Sequence, residues 1–299
     1  MNENSLLEKF RTFYFRNYPD DMELQIELFS FFGGLECDVD SSKSVEVLLR
    51  ELIFDNYDYY AKEMEKLIES DRLKERLLKA LAVGDRRIFS AFKRAGLNNG
   101  NGGATLKALQ EENIVSVEYS REEPPEPKKN QKRSVARHRI SHKVVFTKPF
   151  VRFWFYFIAP YKKEIEEQEY ENFFKNFVQK RHSYTSFIFE ELSSILLNYN
   201  IRNAQLLSSG SYWDAKIEID IFTITDRDEI YVGECKWTNH KINKKEYHKL
   251  LEKCELLELE PKQILFFSKR GFSKELLSMV GKELVLFSSE DFSMLLKAH

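Results

Sequence analysis

Glu218–Trp237 reads EIDIFTITDRDEIYVGECKW, two apolar runs separated by TDRDE, and its reading decides the fold of the C-terminal part. Side chains alternate along a strand, so Ile230, Val232, Glu234 and Lys236 share one face while Cys235 and Trp237 share the other. Asp, Arg and Glu between the runs are turn residues, so the runs are expected to form a hairpin that sets Asp220 alongside Glu234 and Lys236. Two carboxylates and an ammonium then converge. Charges on strands ordinarily lie on a solvated edge. Here thirteen residues separate Asp220 from Glu234, a usual hairpin spacing for a designed convergence. Hydrolysis of a phosphodiester uses such a set. Hard oxygen ligands from Asp220 and Glu234 suit magnesium, or manganese in its place, which lowers the pKa of a bound water, and Lys236 offsets charge developing at phosphorus.

Working outward, the grammar around this hairpin is that of an α/β domain with a mixed sheet over residues 184–299. YTSFIFEELSSILLNYN is helical, AQLLSSGSYW precedes the hairpin as a strand, KKEYHKLLEKCELL is helical, and KQILFFS, SKELLSMVG, ELVLFSS and EDFSMLLKA alternate strand with helix. Upstream, residues 148–183 form an aromatic helical connector in which Pro160 ends or kinks a helix. Residues 71–147 have the order of a winged helix-turn-helix: DRLKERLLKALAVG, DRRIFSAFKRAGL, an NNGNGG turn, ATLKALQEENIV as third helix, then IVSVEYS pairing with HRISHKVVF. Residues 1–70 are helical, broken near FFGGLECDVDSSKS, where Asp40 or Ser41 is placed to cap the next helix.

Composition narrows the classes. Hydrophobic residues make up 42% of the 299 and charged residues 31%, with no charge-free apolar run of membrane-spanning length. The N-terminus lacks the pattern of a secretory signal, which implies a cytoplasmic protein. Three cysteines without CxxC pairing suggest neither disulfides nor structural zinc. Residues 1–70 carry 16 Asp and Glu against 7 Lys and Arg, whereas residues 71–160 carry 19 Lys and Arg against 9. A basic middle third points to a polyanionic partner, although it also suits docking on the acidic first third. Its candidate DNA contacts are Lys107 on the third helix and the run Lys128, Lys129, Lys132, Arg133, Arg137 and Arg139. With only Lys107 and Gln110 as readers, binding is expected to depend on phosphates, log K falling with a slope of about 4 to 5 against log salt for roughly five contacts. The acidic residues 1–70 are a surface for a protein partner or for a homodimer.

These motifs carry a resemblance. EID and ECK at their spacing resemble the PD-(D/E)XK nuclease superfamily, whose fold is restriction-endonuclease-like. The order winged helix, FVRFWFYFIAP, FIFEELSSIL, Trp213, EIDIF, GECKW and ILFFSKRGFS resembles the C-terminal part of archaeal-type AAA-class ATPases, which ends in a nuclease-like domain. The resemblance covers roughly residues 75–299 and implies a metal-dependent DNA nuclease. It also implies a helix carboxylate: FEEL offers Glu190, with Glu191 nearer the buried face of the helical wheel as the alternative. The P-loop of those ATPases has no counterpart, since no GxxxxGK[ST] occurs in the sequence. ATP hydrolysis is therefore not implied. A non-catalytic DNA-binding or adaptor protein, keeping the nuclease-like domain as a platform, is the second expectation.

Overall fold

The structure is a computed structural model that describes residues 3–121, 141–201 and 203–297. It is an α/β protein with a helical N-terminal region and a C-terminal mixed sheet. The sheet has five strands in sequence order, β3 (Leu206–Trp213), β4 (Glu218–Thr225), β5 (Ile230–Lys236), β6 (Gln263–Ser268) and β7 (Leu284–Ser288). β3, β4 and β5 are antiparallel, and β5, β6 and β7 run parallel. The turn between β4 and β5 places Asp228 in the left-handed region, φ 57°, a conformation Asp tolerates. Both faces of the sheet are covered. Helix α10 (Glu171–Asn200) buries Phe189, Leu192 and Ile195 with Ile221, Cys235, Leu265 and Phe267. Helices α11 (Lys244–Leu256) and α12 (Lys274–Leu277) bury Leu250, Cys254 and Leu276 with Phe222, Val232, Ile264 and Phe266 on the other. Burial on two faces explains why the central strands read as continuous apolar runs.

Residues 1–70 do not stand apart. Helices α1 (Glu3–Asn17) and α2 (Met22–Phe32) share one core with α10, in which the Ser30 and Thr185 hydroxyls meet at 3.0 Å. Glu23 pairs with Lys269 at 3.1 Å and with Arg270 at 3.3 Å, beyond β6. After the break, Ser44 rather than Asp40 or Ser41 caps α3 (Val45–Leu48), accepting from Val47 N at 3.3 Å, because Asp40 is turned back onto Ser42. A π-helical stretch (Leu49–Phe54) and α4 (Tyr57–Leu67) follow.

Helices α5 (Arg72–Val83), α6 (Ile88–Ala95) and α7 (Asn99–Glu111) precede an antiparallel pair, β1 (Val115–Glu118) with β2 (Lys143–Phe146). The glycine-rich stretch expected as a turn is the first turn of α7. Asn98 caps it, accepting from Asn101 N at 2.8 Å, and Gly102 packs so closely on Phe92 that a β-carbon would lie 2.6 Å from its ring. Gly102 serves contact rather than a turn. The connector consists of α8 (Pro149–Phe153), a π-helical stretch (Trp154–Ile158), a single 3-10 turn at Pro160 and α9 (Lys162–Glu166). Helix α10 crosses the division at residues 183 and 184, so the connector and the sheet share one helix.

Candidate active site

Register places the site. The β4–β5 ladder ends at the pair Ile221 and Gly233, so the next residues, Asp220 and Glu234, lie where the strands separate. The Asp220 carboxylate takes over from the backbone, its Oδ2 accepting from Cys235 N at 2.9 Å. Lys236 donates to Glu234 Oε1 at 2.5 Å. Lys253, one stripe of α11 away, donates to the other oxygen, Oε2, at 2.8 Å. Burial pushes the Glu234 carboxyl up, but the two ammonium groups outweigh it and hold it below the usual carboxylate range. Lys236 loses by burial and gains more from Glu234, so it is firmly protonated. Asp220 behaves oppositely. Burial, and then the neighbouring charges of Glu190 and Glu234, raise it well above the ordinary value of an aspartate.

The helix carboxylates sit opposite. Glu190 keeps 25% of its side-chain exposure and Glu191 10%, in the order the helical wheel implies. Burial raises both, Glu191 to about 7, with Arg86 opposing in each case. A cavity of about 130 Å³ is lined by Arg86, Glu118, Arg121, Glu190, Glu191 and Asp220, among others. The β1 segment forms its outer wall. Glu118 Oε1 accepts from the amide and hydroxyl of Ser211 at 3.0 and 2.6 Å, Trp213 donates from Nε1 to Ser141 O at 3.0 Å, and Glu218 pairs with Arg87 at 3.2 Å and with Lys143. The described residues of the 71–147 segment are thereby fastened to β3 and β4 beside the carboxylates.

Cys235 is buried against α10, where burial and then Asp220 and Glu190 push its thiol well above its usual range, the surroundings of a packing cysteine rather than of an activated thiolate. Trp213 and Trp237 are buried, which assigns both to packing. Lys107 is exposed on α7, 3.5 Å from Glu111. Lys128, Lys129, Lys132, Arg133, Arg137 and Arg139 lie outside the described residues. Sequence reasoning missed Arg86, Lys143 and Lys253. Lys253 carried a signal, since Lys245, Lys249 and Lys253 repeat at four-residue spacing along α11. Among the described residues, no group of three His, Cys, Asp or Glu side chains is assembled to hold a metal ion, and no helix is long and apolar enough to cross a membrane.

Residues 154–250, about a third of the chain, match the family DUF234, described as archaeal and bacterial proteins of unknown function. No curated protein and no solved structure matches the chain.

Proposed function

We propose that this protein is a magnesium-dependent DNA nuclease of the PD-(D/E)XK, restriction-endonuclease-like class, to which residues 71–147 present duplex as a winged helix. The supporting observation is that Asp220 and Glu234 lie side by side where the β4–β5 ladder ends, with Lys236 donating to Glu234 and Glu190 lining the same cavity as Asp220. The donors suit a hard divalent cation by their chemistry. Asp220 resists ionisation first because it is buried and then because Glu190 and Glu234 lie near it, and a cation between the carboxylates relieves that second, repulsive part. Asp220 and Glu234 would hold the ion; two carboxylates suffice for magnesium or manganese, which fill their remaining positions with water and substrate oxygens. When bound, the ion supplies Lewis acidity and lowers the pKa of a water.

The chain's own residues do the rest. Lys236, protonated and oriented by Glu234, offers donors to the phosphate oxygens on which charge grows. Lys253 adds a second ammonium to the same carboxylate, so this side of the site carries a net positive charge suited to an anionic strand. Glu190, which lines the cavity, would hold or orient a water. The second reading, a DNA-binding or adaptor protein without turnover, is favoured by one observation, that both oxygens of Glu234 are engaged by lysines.

Cleavage of supercoiled plasmid, linear duplex and single-stranded DNA with magnesium or manganese separates the two. Metal-dependent cutting, abolished by Asp220→Ala and by Lys236→Ala while DNA retardation persists, is the expected result. Salt-sensitive retardation with no cutting under any condition assigns the protein to the second reading instead.

A further inference from the structure

Arg86, in the turn between α5 and α6, adopts φ 64°, a left-handed conformation that a side chain with a β-carbon disfavours. Its carbonyl accepts from Val144 N on β2 at 2.8 Å, which pins the main chain there. Strain of this kind persists only where the surroundings impose it. From this turn the guanidinium reaches the carboxylate site. With 5% of its side chain exposed, Arg86 sets Nη2 3.5 Å from Glu190 and Nη1 3.2 Å from Glu191. The Phe187 ring lies 4.4 Å from the guanidinium carbon. Arg86, Glu190 and Asp220 line the same cavity.

Docking has contacts besides those of this residue. Arg87 and Lys143 both tie the 71–147 segment to Glu218, and Trp213 bonds to Ser141. A strained, buried guanidinium bridging two adjacent helix carboxylates has a more specific use.

We infer that Arg86 is a positioning residue of the nuclease site, supplied by the 71–147 segment, which fixes the Glu190 carboxylate beside Asp220 and so makes the site complete only when that segment is docked. This rests on the nuclease reading proposed above. Arg86 does not touch the reacting atoms; it acts through Glu190.

The test is steady-state cleavage of linear duplex with magnesium by wild type, Arg86→Ala, Arg86→Lys, Arg87→Ala, Glu190→Gln and the double variant Arg86→Ala/Glu190→Gln. Arg86→Ala should lower kcat about 10- to 100-fold, the usual effect of removing a group that orients a site ligand, and should leave KM within about twofold. Arg86→Lys should fall between Ala and wild type, keeping the charge without the fork. Arg87→Ala should keep kcat within about twofold, and in the Glu190→Gln background Arg86→Ala should cost under about threefold, because the residue it acts through is gone. Wild-type kcat in Arg86→Ala, or a loss undiminished in the Glu190→Gln background, overturns the inference. Should Arg86→Ala fail to fold, Arg86→Lys decides: reduced kcat at an unchanged melting temperature supports a positioning role, and wild-type kcat overturns it. An inactive wild type overturns the nuclease reading and this inference together, whereas an active enzyme indifferent to Arg86 overturns only the inference.

Discussion

Helix α10 places two kinds of packing on one axis. Its first half buries Phe173, Phe177 and Tyr184 in an aromatic cluster with Phe31, Phe153 and Phe157, ring centroids 5.1 to 6.4 Å apart. Its second half carries Glu190 and Glu191 against Arg86 and Asp220. The aromatic half gains from every ring removed from water and asks little of direction. The two carboxylates of the second half lose hydration and recover it only through oriented partners, so they contribute little net stability beside Phe189, Leu192 and Ile195, which pack on the sheet from the same half. One helix thus joins a stabilising anchor to a site whose geometry costs free energy to hold, which is how a rigid element can present a strained constellation.

The largest expected effect tests the anchor. Phe177 is fully buried, and Phe177→Ala should cost about 3 to 5 kcal/mol, as truncations of buried aromatics do, measured by urea unfolding. Glu190→Gln in the same assay should change stability by less than about 1 kcal/mol, since a neutral isostere removes the desolvation penalty along with the ion pair. Equal losses in the two variants would erase the distinction between the halves.

A smaller effect concerns pH. The Glu191 carboxyl is pushed up to about 7 by burial, against the attraction of Arg86. An acid whose folded pKa exceeds its unfolded value binds more protons when folded, so its cost to stability is full above about pH 7. That cost is relieved as the pH falls through 7 toward the usual carboxylate range. Between pH 8 and pH 4.5, wild type should gain about 3 kcal/mol relative to Glu191→Gln, each pKa unit being about 1.4 kcal/mol. A difference between the two proteins that stays flat with pH would mean that Glu191 is ionised like a surface carboxylate, and that the acidic half is better solvated than its packing indicates.

The contrast also explains what could be read from the chain. The strands, the β4–β5 hairpin and the common face of Glu234 and Lys236 follow from a period of two and from turn residues, which are local signals. The mixed five-stranded sheet follows from strands alternating with helices. Arg86 was not legible, because its partners Glu190 and Glu191 lie far along the chain, Glu191 at a separation of 105 residues, and arise from docking. No periodicity marks a residue whose role is set by a distant element. The glycines of α7 misled for a related reason: Gly102 is small because Phe92 lies against it, and tertiary contact overrode the usual meaning of glycine. Likewise the first 70 residues read as an acidic helical region whose packing partner no local signal names, and their apolar stripes pack on α10.

The smallest effect sharpens the comparison at the opposite extreme of burial. Lys107 on α7 is 77% exposed and its partner Glu111 67%, so solvent screens the pair and Lys107→Ala should alter stability by less than about 0.5 kcal/mol. If α7 lies along DNA, the same substitution removes one phosphate contact whatever the sequence. The slope of log K against log salt should then fall by about 0.9, with affinity lost about equally on specific and random duplex. Retardation of both duplexes across a salt series measures it. An unchanged slope would take α7 away from the DNA and leave the lysines of α11 beside Glu234 as the surface that meets the strand, whereas a reduced slope would make the docked 71–147 segment the part that sets the register of cutting.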